Sequence, residues 1–531
     1  MEARQAEQLG REIKSFHTRQ IGSMPLIWPL LRKLWVRETT NELVASQADV
    51  DLGRVVELLV VNRLMSPRPL YEVAEWMAET VLPELMDMTP AQMYDNRIGR
   101  SLDQLYPYLG ELWARLASRA IQTFDLDVSV LHWDVTSLYL EGVYAESDLA
   151  AYGYSRDGRS DTKQVNLEVD TTHEGQIPIL YQVLSGNTAD ITRPLPHMEA
   201  LLAFLARPEL QERSLRPLLV SDCKMVTSEA VLACHYYNLY YLGPVADSLA
   251  ATRVLRSVSG AELAEHPLAY RPTRVKADDP TFIPYAGVWR SLSFAHGGET
   301  VTDRALVVWS AGKARLDERK RKTYLKRLLN GLERIQQRLN THRYKKRRYV
   351  EERIQQLCQG NPAKPLVDIQ LRGEDGTLTL HFQLDAQAAQ AAREVDGRYL
   401  LATNADYLDA DQTLTLFKGQ DGVEKRFRTV KGPLLVRPLF VRSDQRIEGL
   451  IFISLLALLL RAILEQLARR QGLIVTASRL YQAFEPLQAV ELLWQDGSRQ
   501  QQAAHPTSRQ AQILQTLSWP MPDAYGRSPS C

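Results

Sequence analysis

Apolar residues recur at three- and four-residue steps from Leu26 to about Phe124, through Leu31, Leu34, Leu43, Val55, Leu58, Leu59 and Leu64, with a break at Ser66-Pro67-Arg68-Pro69. That period predicts helices, so residues 1–123 are expected to form an all-helical N-terminal domain. In its second half Asp95 or Asn96 offers an N-cap ahead of a face built by Ile98, Leu102, Leu105 and Leu109. At Phe124 the period changes. LDVSVLHWDVTSLYLEG reads as a strand, with Asp134 on the same side as His132 and Thr136. QVNLEVDTTHEGQIPILYQVLSGNTAD predicts two more strands joined at His173-Glu174-Gly175. A helix follows over about Pro194 to Leu205, and RPLLVSD is a short buried strand ending at Asp222. This order implies an α/β fold with a mixed sheet flanked by helices, in which Asp134 and Asp222 meet if their strands are neighbours.

The pattern that occupies residues 124–243 is interrupted over 244–394. There, strand-like runs (TFIPYAGVWRSLSFAH, RALVVWS, LTLHFQL) surround a long basic helical piece. Leu325, Leu328, Leu332, Ile335 and Leu339 keep the three-four step, and Tyr349, Ile354 and Leu357 return as a second helix, which predicts a helical hairpin. The sheet resumes at GRYLLATN and the core continues over 395–475. Within it, LIFISLLALLL, Leu450 to Leu460, is apolar for only eleven residues before Arg461, short of the roughly 20 that span a bilayer. It is read as a buried core helix, with no membrane partner. Residues 476–531 are a weakly patterned tail.

Composition alters this picture in two places. The 531 residues are 45% hydrophobic and 24% charged, which excludes disorder as the main state. Four scattered cysteines, Cys223, Cys234, Cys358 and Cys531, form no CxxC pair, so neither a zinc module nor a disulfide framework is indicated. With a polar N-terminus lacking a signal core, a cytoplasmic location is expected. The net charge of +1 hides a local bias: Lys313 to Cys358 holds sixteen Lys or Arg against five Asp or Glu. That stretch, including Lys345, Lys346, Arg347 and Arg348, is either a solvated coiled-coil face or a clamp on a phosphate backbone.

The candidate chemistry centres on FKGQDGVEKRFRTVK, Phe417 to Lys431, followed by Gly432-Pro433 as a stop. As one helix it would set Phe417, Gln420, Glu424 and Lys431 on one face, beside an apolar stripe of Val423, Phe427 and Val430. Glu424 with Asp134 and Asp222 makes an oxygen-only set suited to Mg²⁺ and to in-line displacement at phosphorus. Lys431 and Gln420, with Lys425, Arg426 and Arg428, are candidate phosphate contacts. The plainer reading of each residue is an Asp at a strand end serving as a turn or cap, and Glu or Lys as solvated helix surface.

Taken together the residues resemble insertion-sequence transposases of the DDE class, the cut-and-paste bacterial group with a Tyr-x-x-Arg-x-x-x-Glu-x6-Lys signature. Phe417, Gln420, Glu424 and Lys431 keep every spacing; Asp134 in HWDVTSLYLEG and Asp222 in LLVSDCKMVT match the two family aspartates. GYSRDGRSDTKQV and SGNTAD add to the likeness, which spans most of Asn96 to Arg470. The resemblance implies an RNase H-like catalytic core split by a large insertion and preceded by a helical DNA-end-binding region. It implies Mg²⁺ (or Mn²⁺) held by Asp134, Asp222 and Glu424, and a nucleoid-associated homodimer acting on terminal inverted repeats and target DNA. Four departures stand out: Phe417 for Tyr, Gln420 for Arg, Asp421-Gly422 where helix formers are usual, and Cys223 where Arg is common. They leave the ligands intact and weaken phosphate binding, so a catalytically decayed, transposase-derived DNA-binding protein is the alternative.

Overall fold

The computed structural model describes residues 13–154, 158–159, 161–213, 216–222, 225–272, 275–276, 279–432, 434, 441 and 443–525. Cys223, Cys531, Pro433 and part of the GYSRDGRSDTKQV segment lie outside the described residues. The chain divides into two compact units, Met1–Ser221 with Gly419–Cys531, and Asp222–Lys418.

The first unit opens with a strand, β1 (Ile13–Gln20), which pairs antiparallel with Gln488–Trp494; that strand pairs in turn with Arg499–Ala503. The N-terminal region is therefore not all helical, and the tail is folded. β1 shows almost no apolar alternation, and its partner lies more than 400 residues away, so no local pattern announces it. Helices then run through Leu52–Met65, Asp95–Leu105 and α1 (Leu109–Thr123) to a sheet ordered β4-β3-β2-β5: β2 (Val130–Tyr139), β3 (Gln164–Thr172), β4 (Pro178–Ser185) and β5 (Leu218–Val220). β3 is antiparallel to both neighbours, whereas β5 runs parallel to β2. Between β4 and β5 lies α2 (Pro194–Leu205).

The register sorts the side chains by face. Asp134, Val169 and Tyr181 lie opposite one another on one side, and Trp133, Asp170 and Leu180 on the other. The first side receives α1, where Trp113 Nε1 donates to the Ile179 carbonyl at 3.0 Å and its ring meets Tyr181 edge-on. It also receives α3 (Asp421–Lys431) and the long α4 (Asp444–Arg470). α4 is apolar enough by length and composition to cross a membrane, but 94% of its most apolar window is buried within the unit. Apolar on every side, it is a core helix. The Leu52–Met65 and Asp95–Leu105 helices pack on it, and Gly449 admits Leu102 so closely that a Cβ would lie 3.1 Å from its side chain.

Phe417 to Lys431 is not one helix. Ala410–Lys418 ends, Gly419-Gln420 turns, and α3 starts at Asp421, with Gly422 and Val423 donating to the carbonyls of Gly419 and Gln420. Phe417 therefore belongs to the preceding helix and to the second unit, and shares no face with Glu424. Glycine at 419 disfavours continuing the first helix, while the Asp421 carboxylate suits the positive N-terminus of the second.

The second unit contains an antiparallel sheet ordered β6-β12-β9-β8-β7: β6 (Tyr240–Pro244), β7 (Pro267–Leu268), β8 (Tyr285–His296), β9 (Glu299–Trp309) and β12 (Arg398–Thr403). Because β6 and β12 pair with each other and β12 with β9, the division falls after Ser221 and Lys418 rather than at 243 and 394. The basic stretch forms two helices, Ala311–Arg338 and Arg347–Cys358. Leu328, Leu332, Ile335 and Val350 close a small core over a hairpin of β10 (Val367–Arg372) and β11 (Thr379–Leu384). Gly331 marks the helix crossing, since a Cβ there would sit 2.5 Å from Leu357.

Beneath the first unit's sheet, on the Trp133 side, lies a buried ionic cluster. His197 of α2 stacks on Trp133 at 4.6 Å; its Nδ1 lies 2.8 Å from Glu168, and its Nε2 lies 3.2 Å from Asp170 without hydrogen-bond alignment. Arg193 and Trp133 Nε1 both donate to Glu168. Burial works against a charged imidazole, but the two carboxylates push His197 up to about 9. Between the unfolded value of 6.5 and about 9, the folded chain holds a proton that the unfolded chain has released. Stability should therefore decline through that window as pH rises, by on the order of 1–3 kcal/mol. Urea midpoints at both ends of the window measure it: the decline should vanish in His197→Gln, and a decline that persists unchanged assigns it to other groups.

Candidate functional site

Asp134 sits mid-strand on β2, partly exposed, and its Oδ1 accepts from the Val135 amide at 2.7 Å. The parallel pairing of β2 with β5 runs from Val130 opposite Leu218 to His132 opposite Val220. Asp134 stands two residues beyond the last of these pairs on one strand, and Asp222 two residues beyond it on the other chain segment. Asp222 is the first residue of the second unit. Glu424 lies one turn into α3, exposed, on a helix whose Val423, Phe427 and Val430 are buried. Among the described residues, no group of three or more His, Cys, Asp or Glu side chains is gathered closely enough to hold a metal ion.

What holds α3 in place is a set of polar contacts that no sequence spacing signals. Gln420, in the turn before α3, makes no cap bond to its own helix. Its Nε2 donates to the Trp133 carbonyl at 2.8 Å, and its Oε1 lies 2.9 Å from His132 Nδ1. His132 Nε2 is in turn 2.9 Å from His173 Nδ1, with the rings stacked. Burial lowers His132 to about 4 and holds His173 below its ordinary value too. On the far end, Arg426 donates to the Gly175 and Gln176 carbonyls of the β3–β4 turn and pairs with Glu465 of α4 at 2.8 Å.

A domain of unknown function, DUF4277, matches residues 16–117, a stretch that contains none of the three candidate carboxylates. Among curated proteins none matches. Among solved structures, the piggyBac transposase synaptic complex with hairpin DNA is 9% identical, with 89% of this chain and 82% of that chain covered, at a TM-score of 0.40. The Mos1 transposase paired-end complex with left transposon end is 12% identical over 35% of this chain and 57% of that one, at 0.16. A pre-cleavage Mos1 transpososome is 13% identical over 35% of this chain and 58% of that one, also at 0.16. Similarities this low do not establish a shared fold.

The structure separates the expected phosphate contacts into three kinds. Arg426 is buried and committed to the β3–β4 turn and Glu465, so it is a structural cation and not a phosphate contact. Gln420 is likewise spent on β2. Lys425 and Arg428 are exposed on α3, and Lys431 is partly exposed two turns beyond Glu424. In the second unit, Arg347 donates to the Leu371 and Gly373 carbonyls and to Glu351, which ties it to the β10–β11 turn while its side chain stays partly exposed. Lys345, Lys346 and Arg348 are exposed. The last two pair with Asp375 and Glu352, exposed contacts that an incoming phosphate can displace.

The Glu168 and Asp170 pair had a visible trace in the sequence, since NLEVD puts two carboxylates on one face of an otherwise apolar strand. The His173 contact had none. Arg426→Ala should leave the Gly175 and Gln176 carbonyls unmatched and Glu465 with only the Ala477 amide, at a cost of about 3–5 kcal/mol. Equilibrium denaturation checks this, and a loss below about 1 kcal/mol would return Arg426 to the surface-exposed class.

Proposed function

We propose that the chain is a DNA transposase of the DDE class with an RNase H-like core, which cuts and rejoins phosphodiesters at the terminal inverted repeats of an insertion sequence. The observation that carries this reading lies within the first unit: Glu424 rides a helix whose leading residue, Gln420, is tied to the peptide that enters Asp134. The sequence resemblance adds Asp222 to these two carboxylates. All three donors are carboxylates, an oxygen-only set that suits Mg²⁺ or Mn²⁺ and not the softer preference of zinc. Bound there, divalent cations would lower the pKa of the attacking oxygen and offset charge on the phosphorane.

The chain's own groups do the remainder. The three carboxylates would hold the cations. Lys425, Arg428 and Lys431 line the same helix for the scissile strand. A water oxygen attacks phosphorus and the 3′-oxygen leaves with a proton; the freed 3′-hydroxyl then loses its proton as it attacks a target phosphodiester, whose own P–O3′ bond breaks and whose 3′-oxygen leaves protonated. The working form is a homodimer bridging two DNA ends on the nucleoid in the cytoplasm. A second reading, a DNA-binding derivative without catalysis, is favoured by Gln420, whose amide is committed to β2 at the position where the family signature has Arg.

Duplexes carrying the ends that flank the gene should be nicked and joined with Mg²⁺, and Asp134→Asn or Glu424→Gln should slow this about a hundredfold or more. Wild-type rates in both variants would sink the assignment, and salt-sensitive binding without cleavage under any divalent ion selects the second reading. Replacing Lys345, Lys346 and Arg348 together by Gln should flatten the log-affinity against log-salt slope by about 3, roughly one for each phosphate no longer neutralised. An unchanged slope makes the hairpin a solvated face.

A further inference from the structure

The polar chain at the start of α3 can be assigned proton by proton. The Trp133 carbonyl only accepts, so Gln420 must turn its Nε2 toward it and its Oε1 toward His132. An amide oxygen only accepts, so His132 carries a hydrogen on Nδ1 toward Gln420 Oε1, while its Nε2 faces His173 Nδ1 at 2.9 Å. The hydrogen-bonded chain thus runs from His173 through His132 and Gln420 to the Trp133–Asp134 peptide. His173 is itself anchored, its backbone amide donating to the Val130 carbonyl at 3.0 Å.

Two further contacts tie α3 to the β3–β4 turn beside this strand. Gly422 lies against Gln176 of the β3–β4 turn, where an added Cβ would come within 2.4 Å of Cγ. Arg426 grips the carbonyls of the same turn. Gln420 precedes Glu424 by four residues, one helical turn and about 6 Å of rise. Its carboxamide reaches the peptide whose nitrogen belongs to Asp134.

We infer that Gln420 is a positioning residue: its carboxamide, held by His132 and His173, sets the spacing between Glu424 and Asp134 at which the two carboxylates take a divalent cation. The inference rests on the metal site proposed above, and it gives Gln420 a role other than phosphate contact. A neutral amide is suited to this task because it gives one hydrogen bond and takes another in a single plane, whereas an arginine there could only donate. Partners that orient metal ligands from behind typically contribute 10–100-fold in metal affinity.

The test is Mn²⁺ binding to the full-length protein without DNA, read by the electron paramagnetic resonance of free Mn²⁺, with melting temperature recorded for each variant. Gln420→Leu, and Gln420→Asn, which keeps the amide but shortens its reach by one methylene, should weaken binding about 10–100-fold. His132→Leu should do the same. His132→Asn, whose Nδ2 occupies the place of the imidazole Nδ1, should restore most of the affinity that His132→Leu removes. In cleavage assays Gln420→Asn should raise the Mn²⁺ concentration for half-maximal rate and leave the rate at saturating Mn²⁺ near wild type. Wild-type affinity in both Gln420 variants, with weakened affinity in Asp134→Asn and Glu424→Gln, overturns the inference and leaves the proposed function standing. No Mn²⁺ binding by the wild type, or binding indifferent to Asp134 and Glu424, overturns the metal site and the inference with it.

Discussion

A helix of 27 residues with no polar face must be enclosed, and the first unit is the enclosure of α4. Nearly every side chain from Ile447 to Leu464 is buried, and the walls are drawn from both ends of the chain: the N-terminal helices, the Asp134 face of the sheet, α3 and the segment after Ala477. Removing so large an apolar surface from water is the main favourable term available to this unit. It also explains why an N-terminal strand and a C-terminal strand pair across more than 400 residues. Both termini are already brought together by the helix they cover. Polar groups mark the ends of that enclosure. Asp444 at the start of α4 accepts from Ser147 and from the Asp148 and Leu149 amides, and Arg470 at its end donates to the Phe124 and Asp125 carbonyls.

The two faces of the sheet carry different kinds of constraint. On the α2 side, Glu168, Asp170, His197 and Arg193 are an ion cluster in which removing any member would be costly, because the others would remain buried with unbalanced charge. It fixes α2 against β3 without facing any of the candidate ligands. On the α4 side, the polar groups are mostly neutral or directed at backbone: Gln420, His132 and His173 toward β2, and Arg426 toward the β3–β4 turn. Carboxylates meant to take a cation need a rigid mount that does not neutralise them first. A neutral amide backed by two stacked imidazoles provides such a mount, whereas a second ionic cluster would compete for the candidate ligands.

Elements with a strong internal period were legible in the sequence: the strand through Asp134, the helix at Pro194 to Leu205, the apolar helix before Arg470 and the two basic helices. Each carries its own hydrophobic record, so a local reading suffices. What escaped was decided by partners distant in the chain. β1 has an unremarkable composition and exists because Gln488–Trp494 offers it an edge. The single helix expected over Phe417 to Lys431 has the right spacing throughout, but spacing does not report that Gly419-Gln420 is where one compact unit ends and another resumes. Arg426 was indistinguishable from a surface cation by sequence, because burial of its guanidinium depends on carbonyls supplied by the β3–β4 turn.

The departures from the family signature look different once their surroundings are known. A site drifting without use accumulates unpaired polar groups and gaps, since nothing removes replacements that fit badly. Gln420 does neither: both ends of its amide are bonded, one to a buried ring whose protonation is determined by that bond. Gly422 costs about 1 kcal/mol as a helix residue, yet it stands where a larger residue would collide with Gln176, so the weakness is exchanged for a close approach of α3 to the β3–β4 turn. Phe417 has left the Glu424 face altogether and lies instead in ring contact with Tyr399 at 6.3 Å. A missing hydroxyl at that position therefore says nothing about the candidate ligands. Of the four replacements that suggested decay, Gln420 and Gly422 are built into the mount of α3, Phe417 lies in the other unit and Cys223 lies outside the described residues, so the case for lost activity must rest on the candidate ligands, and Asp134, Asp222 and Glu424 are all retained.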